Sequence, residues 1–151
     1  MSGRMPTPFQ VSLLQLLFQN LPIPNVGNAA GLQPSEVPGS YYLGLHHADP
    51  TASGNQSDKE ATYPGYTRQA VPRSSVGWSV SASPSSAQNA AAITFPVCVD
   101  GSESLPWFTI GLQASGPTAI MFEGPLSTPL TVSKGSTPSF PIDACSVMIG
   151  A

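Results

Sequence analysis

A chain of 151 residues is long enough for one domain with a substantial core, and 40% hydrophobic against 9% charged residues excludes a disordered polyelectrolyte. The net charge is −3, and the five cations (Arg4, Lys59, Arg68, Arg73 and Lys134) form no basic stripe, so binding to nucleic acid through phosphate neutralisation is not expected. With 14 glycines and 17 prolines, the composition favours short extended segments joined by turns, and so an all-β fold.

In chain order, the first element is a helix. Thr7-Pro8 reads as an N-cap followed by proline at the first helical position. Phe9, Leu13, Leu16 and Leu17 then fall on one face, while Val11, Leu14 and Phe18 make much of the other side apolar. A helix apolar on two sides needs two covers, its own domain and a partner. Phe9, Leu13, Leu14, Leu17 and Phe18 are therefore candidate partner-binding residues. The run is too short for a bilayer span, which takes about 20 residues. It resembles a signal-peptide core followed by Asn28-Ala29-Ala30, but Gln10 and Gln15 interrupt it, so the reading is a helix of a protein made in the cytoplasm, without membrane association. Pro22 and Pro24 end the helix, and residues 21–40 form an extended connector. The expected division is a helix with a proline-rich arm over 1–38 and a β-sandwich over 39–151.

Beyond the connector the period changes to two. Tyr41, Leu43 and Leu45 alternate with Tyr42 and Gly44, and the run ends in His46-His47 and an Asp49-Pro50 turn. Seven further candidate strands follow: 66–71, "GWSVSAS", "AITFPV", "WFTIGLQ", 118–124, 129–133 and 144–150. Each is bounded by Gly, Pro, Asp or Ser. Eight short strands predict a two-sheet, jelly-roll-like sandwich. The polar stretch 52–68 reads as a long exposed loop running into a strand, and residues 51–62 as a contact element. Tyr63, Tyr66 and Arg68 alternate so as to offer aromatic rings and a guanidinium to one surface, a composition enriched at interfaces. Trp107 precedes Phe108, so one of the two must face away from the core of its own sheet.

Candidate chemistry is sparse. His46 and His47 point to opposite faces while the strand persists, so they do not share a metal, and Asp49 has an ordinary role capping its turn. The chain has no G-x-S-x-G elbow, no C-x-x-C and no zinc-type spacing. Cys98 and Cys145 sit in apolar surroundings and read as buried free thiols, with a single bridge as the alternative. The expectation is a protein that is not an enzyme, with no catalytic residues, metal, cofactor or small-molecule substrate.

Read in order, "YYLGLHHADP", "YPGYTRQAVPR", "NAAAITFP", "FTIGLQASG" and "AIMFEGPLSTPLTVSKGSTPSF" resemble a group of small tailed-bacteriophage virion proteins usually labelled tail-fibre proteins. Proteins of similar fold and size serve as jelly-roll capsid cement (decoration) proteins. The resemblance covers about residues 40–149. The chain departs from it at His47, where the pattern has a small hydroxyl residue, and at "VCVDGSESLPW", where a Gly/Ser-rich turn is expected. The resemblance implies a structural protein of the virion, made in the host cytoplasm. On this reading the expected function is a homo-oligomer (dimer or trimer) bridging copies of the major capsid protein, with a tail-fibre or baseplate subunit for host attachment as the alternative.

Overall fold

The protein is described here from a computed structural model covering residues 1–150. One helix and nine strands follow in order: α1 (Thr7–Gln19), β1 (Ser40–His46), β2 (Gln69–Pro72), β3 (Trp78–Ala82), β4 (Ser85–Asn89), β5 (Ile93–Thr94), β6 (Ser102–Gly111), β7 (Ile120–Ser133), β8 (Ser139–Phe140) and β9 (Ser146–Met148). The fold is the expected all-β sandwich type with a short N-terminal helix. Among the described residues its strands number nine rather than eight and divide among three sheets rather than two. The described residues form two compact units, one of residues 40–71 and 93–140, the other of residues 1–39, 72–92 and 141–150.

The first of these units contains the four-stranded sheet β2-β1-β6-β7 and the two-stranded ladder β5-β8. In the antiparallel β1–β6 pairing Leu43 opposes Ile110 and Leu45 opposes Phe108, so these four side chains share one face. All four are buried. Phe108 meets Phe140 of β8 with ring centroids 6.4 Å apart, and Phe140 meets Phe95 at 6.0 Å. These rings fill the space between sheet and ladder. The two strands foreseen at 118–124 and 129–133 are one continuous β7 in spite of Pro125 and Pro129. An edge strand tolerates proline because one side of its backbone has no ladder to serve.

The other unit packs α1 on the sheet β3-β4-β9. The helix starts without a side-chain cap; Pro6 is the N-cap and its carbonyl accepts from the N–H of Phe9 and Gln10, so Thr7 is the first helical residue rather than the cap. Leu14 and Phe18, one turn apart, are its fully buried pair. Phe18 meets Trp78 edge-on at 4.7 Å, and Gln19 donates to the Trp78 carbonyl. Burying two side chains of this size contributes about 1.5–3 kcal/mol each. Asn20 closes the helix in the left-handed conformation, and its side-chain amide pairs with the backbone of Ser35 in both directions. Arg73 reaches the carbonyls of Leu16 and Leu17 at the helix C-terminus, as well as Ser35 Oγ and the Pro38 carbonyl. The proline-rich stretch between them is thus fastened at both ends, with an Ile23–Leu32 bridge in its middle. Strand β4 escapes the sequence patterning because "SSAQN" has none of the β-branched or aromatic residues that mark strands.

Candidate functional site

His46 and Trp107 lie on the face of the β1–β6 pair opposite the aromatic core. Strand alternation places Tyr42, Gly44 and His46 there, across from Gly111, Thr109 and Trp107. A single solvent-facing sheet face would be exposed, yet Gly44, His46, Thr109 and Gly111 are buried. The cover is the segment expected to be an exposed loop. After His46 the chain turns at Asp49-Pro50 and folds back, with Asn55 bridging to Ala119 beside β7 and Glu60 to His46. Asp49 behaves as foreseen: its carboxylate accepts from the Thr51 N–H at 2.8 Å and from the Thr51 hydroxyl.

Gln56 is the plug of this cover. Its side chain is fully buried, and its amide nitrogen donates to the Tyr42 carbonyl at 2.8 Å and to Thr109 Oγ1 at 3.1 Å. The room comes from two glycines. A Cβ on Gly111 would stand 2.0 Å from Gln56 Oε1, and one on Gly44 would stand 3.1–3.3 Å from Thr109, Gln56 and His46. Gln56 Oε1 itself has no hydrogen-bond partner.

His46 completes the cluster. Its Nδ1 lies 2.9 Å from the Asp58 carbonyl and its Nε2 2.8 Å from Thr109 Oγ1. A carbonyl only accepts, so Nδ1 carries the proton and Nε2 accepts from the Thr109 hydroxyl. Both ring nitrogens are engaged, leaving neither for a metal. Burial pushes the imidazole below its usual 6.5, against the opposing pull of the Asp58 carbonyl and the Glu60 carboxylate. His47 points the other way and is half exposed, 3.6 Å from Glu103. Among the described residues no three His, Cys, Asp or Glu side chains gather as a metal site.

In the Tyr-Pro-Gly-Tyr-Thr-Arg run, 63–68, Tyr63, Tyr66 and Arg68 turn inward while Pro64, Gly65 and Thr67 are exposed. Arg68 is 7% exposed and holds Glu60 bidentately, Nε to Oε1 at 2.7 Å and Nη2 to Oε2 at 2.8 Å. Its remaining donors reach the carbonyls of Gln113 and Gly116 and the Ser57 hydroxyl. Tyr66 donates to Glu60, accepts from the Leu45 N–H, and stacks on Phe95. Burial and the Glu60 charge push its phenol far up. Tyr63 is buried as well, with its hydroxyl on the Pro96 carbonyl, and burial ahead of Cys98 and Glu103 pushes its phenol up to about 12. Glu103 accepts from the backbone N–H of Thr62 and Tyr63. These side chains tie the 51–68 segment to the sheet. Sequence spacing offered Tyr63, Tyr66 and Arg68 to an outer surface, whereas Tyr63 and Arg68 are buried, and it gave no sign that Glu60 and two carbonyls lay within reach of Arg68.

Of the remaining candidate residues, Trp107 is half-buried on the covered face, with Phe108 turned into the core. On α1, Leu14 and Phe18 face β3 and β4, Leu13 and Leu17 are half-buried and Phe9 is exposed. The residues that sequence reasoning missed are Gln56, Thr109, Glu60 and the glycine pair Gly44 and Gly111. A glycine within each of two candidate strands was the available signal, since it marks close approach of another group. Cys98 and Cys145 are both free and buried, so the free-thiol reading holds and the bridge does not.

Residues 28–148 match the family described as "Podophage GP4 fiber I protein gp80". No curated protein matches the chain.

Proposed function

This chain belongs to the podophage GP4 fiber I protein gp80 family and is a fibre-related structural protein of the phage virion, and from that premise we propose that it serves as a tail-fibre subunit acting by adhesion to neighbouring virion proteins, without catalysis. The single observation that carries the reading is the family match across 121 consecutive residues, 28–148, which includes every strand. The side-chain chemistry supports it. The polar groups of the β1–β6 unit are turned inward to fasten a covering segment, an investment in rigidity rather than in a reacting centre. A rigid slab suits a subunit that must transmit position and load. Partner contacts fall to the apolar groups left at the surface, among them Phe9 of the helix, 36% exposed. Contact through the half-buried Leu13 and Trp107 belongs to the same proposal.

The test is the position and copy number of the protein in purified particles, by antibody-gold labelling and quantitative mass spectrometry. A fibre subunit is present in proportion to tails, and particles lacking it keep intact capsids while losing adsorption. Copies in proportion to the shell lattice, with heat-fragile capsids on deletion and normal adsorption, would refute the fibre reading in favour of capsid cement.

A further inference from the structure

The His46 cluster has a directional hydrogen-bond order that only a neutral imidazole satisfies. Gln56 donates to Thr109 Oγ1, the Thr109 hydroxyl donates to His46 Nε2, and His46 Nδ1–H donates to the Asp58 carbonyl. Gln56 also donates to the Tyr42 carbonyl, which fixes which way its amide faces. We propose that His46 is an acid-sensitive latch: taking up one proton at Nε2 releases the Gln56 plug and loosens residues 53–58 from the β1–β6 face.

The reason lies in the count of donors and acceptors. A proton on Nε2 turns it from acceptor to donor, so Thr109 Oγ1 must accept from both His46 and Gln56. The hydroxyl hydrogen then loses its imidazole acceptor. Rotating the Gln56 amide would offer it Oε1, which has no partner at present, but the same rotation places Oε1 against the Tyr42 carbonyl and breaks that bond. Either outcome leaves a buried polar group unmatched, and leaving one unmatched is costly where water is excluded. Unplugging Gln56 relieves both.

The charged groups around His46 are few. From the covering segment come Glu60, whose carboxylate favours the cation, and Asp58, which contributes its carbonyl; Arg68 and His47 oppose the cation. From β7, Glu123 stands opposite Thr109 in the β6–β7 register. On balance burial wins, and the folded state disfavours the proton that the unfolded chain accepts below about 6.5. The sign follows: closure is fully stable above that value and weakens as pH falls through the window below it. The far end of the segment stays fastened by the Glu60–Arg68 pair, so opening is confined to the plug.

Amide hydrogen exchange read by NMR tests this on the intact protein, corrected for intrinsic exchange rates, from pH 7.5 to 5. The reporters are the Gln56 N–H on the Thr118 carbonyl, the Asp58 N–H on Asn55 and the Ile120 N–H on Gly54. The expected result is a loss of protection at these three amides of up to about tenfold per pH unit, with β1–β6 ladder amides unchanged. The His46 ring, followed in the same samples, should show the Nδ1–H tautomer at pH 7.5 and gain its proton in step with the opening. His46→Gln should abolish the pH dependence, while His47→Gln and Glu123→Gln keep it. Uniform loss of protection across the sheet, or plug opening while the His46 ring stays neutral, overturns the proposal. The ring titration decides the matter even if His46→Gln does not fold.

Discussion

Replacing Gly111 by alanine probes the plugged face directly. Its backbone does not lie in the left-handed region, so alanine is acceptable to the main chain and the whole effect is steric. The added methyl would fall 2.0 Å from Gln56 Oε1 and 2.5 Å from Cδ, far inside contact distance. Gln56 must therefore shift, and if it leaves the slot it takes two hydrogen bonds worth about 1 kcal/mol each and exposes or orphans the Tyr42 carbonyl. With overpacking of about 1–3 kcal/mol as the alternative if it stays, the net loss is about 2–4 kcal/mol. The reduced backbone entropy of unfolded alanine returns at most about 1 kcal/mol of this. For a chain of this size the midpoint of thermal unfolding should drop by about 5–15 °C, measured by circular dichroism and checked by urea titration. The decisive variant is the double substitution with Gln56→Ala. With the plug already gone, the methyl at 111 has room, and the double variant should be little worse than Gln56→Ala alone, a coupling of about 1–3 kcal/mol. Strict additivity, or a Gly111→Ala cost below about 0.5 kcal/mol, would show that Gln56 does not occupy the glycine slot.

Arg68→Lys keeps the charge but cannot reproduce a bidentate grip on Glu60 together with the bonds to Gln113, Gly116 and Ser57, and should cost about 2–4 kcal/mol in a urea titration; a loss under about 0.5 kcal/mol would mark the network as ornamental. Arg73→Ala removes the donors from the C-terminal carbonyls of α1 and from the 35–38 stretch, so limited proteolysis should cut near residues 21–38 faster than in the parent, and unchanged cleavage there would contradict the fastening role. Burial pushes the Cys145 thiol up to about 12, so at pH 7.5 iodoacetamide should label it only after denaturation. Rapid labelling of the folded protein at that residue would contradict its burial.

The first strand and its partner show how far sequence pattern reached. Tyr41, Leu43 and Leu45 announced a strand with one apolar face, and that face is the core. The alternation said nothing about the other face, because polar and small residues at Gly44, His46, Thr109 and Gly111 read as solvent-facing. They are buried because the 51–62 segment, polar by composition, returns over them with Gln56 as its plug and Glu60–Arg68 as its clasp. A polar loop and a polar cover have the same composition. What separates them is whether distant donors and acceptors find each other; Gln56 and Thr109, for one, are 53 residues apart.

Local physics was enough to set the all-β class and the helix at the N-terminus, because each depends on nearest-neighbour preferences or on a count; the choice between two free thiols and a bridge, left open by the sequence, fell to the structure. The helix also shows where local physics stops. Both of its sides are apolar, so periodicity could not choose between Phe9-Leu13-Leu16-Leu17 and Val11-Leu14-Phe18. The choice fell to Trp78, nearly sixty residues away in sequence, whose ring accepts Phe18 and so sends Leu14 inward and leaves Phe9 in water. Strand and helix formation draw on short-range backbone and rotamer preferences. Which face is buried, and which polar residue is enclosed, is decided by shape and hydrogen-bond matching between segments that meet only once the chain has folded.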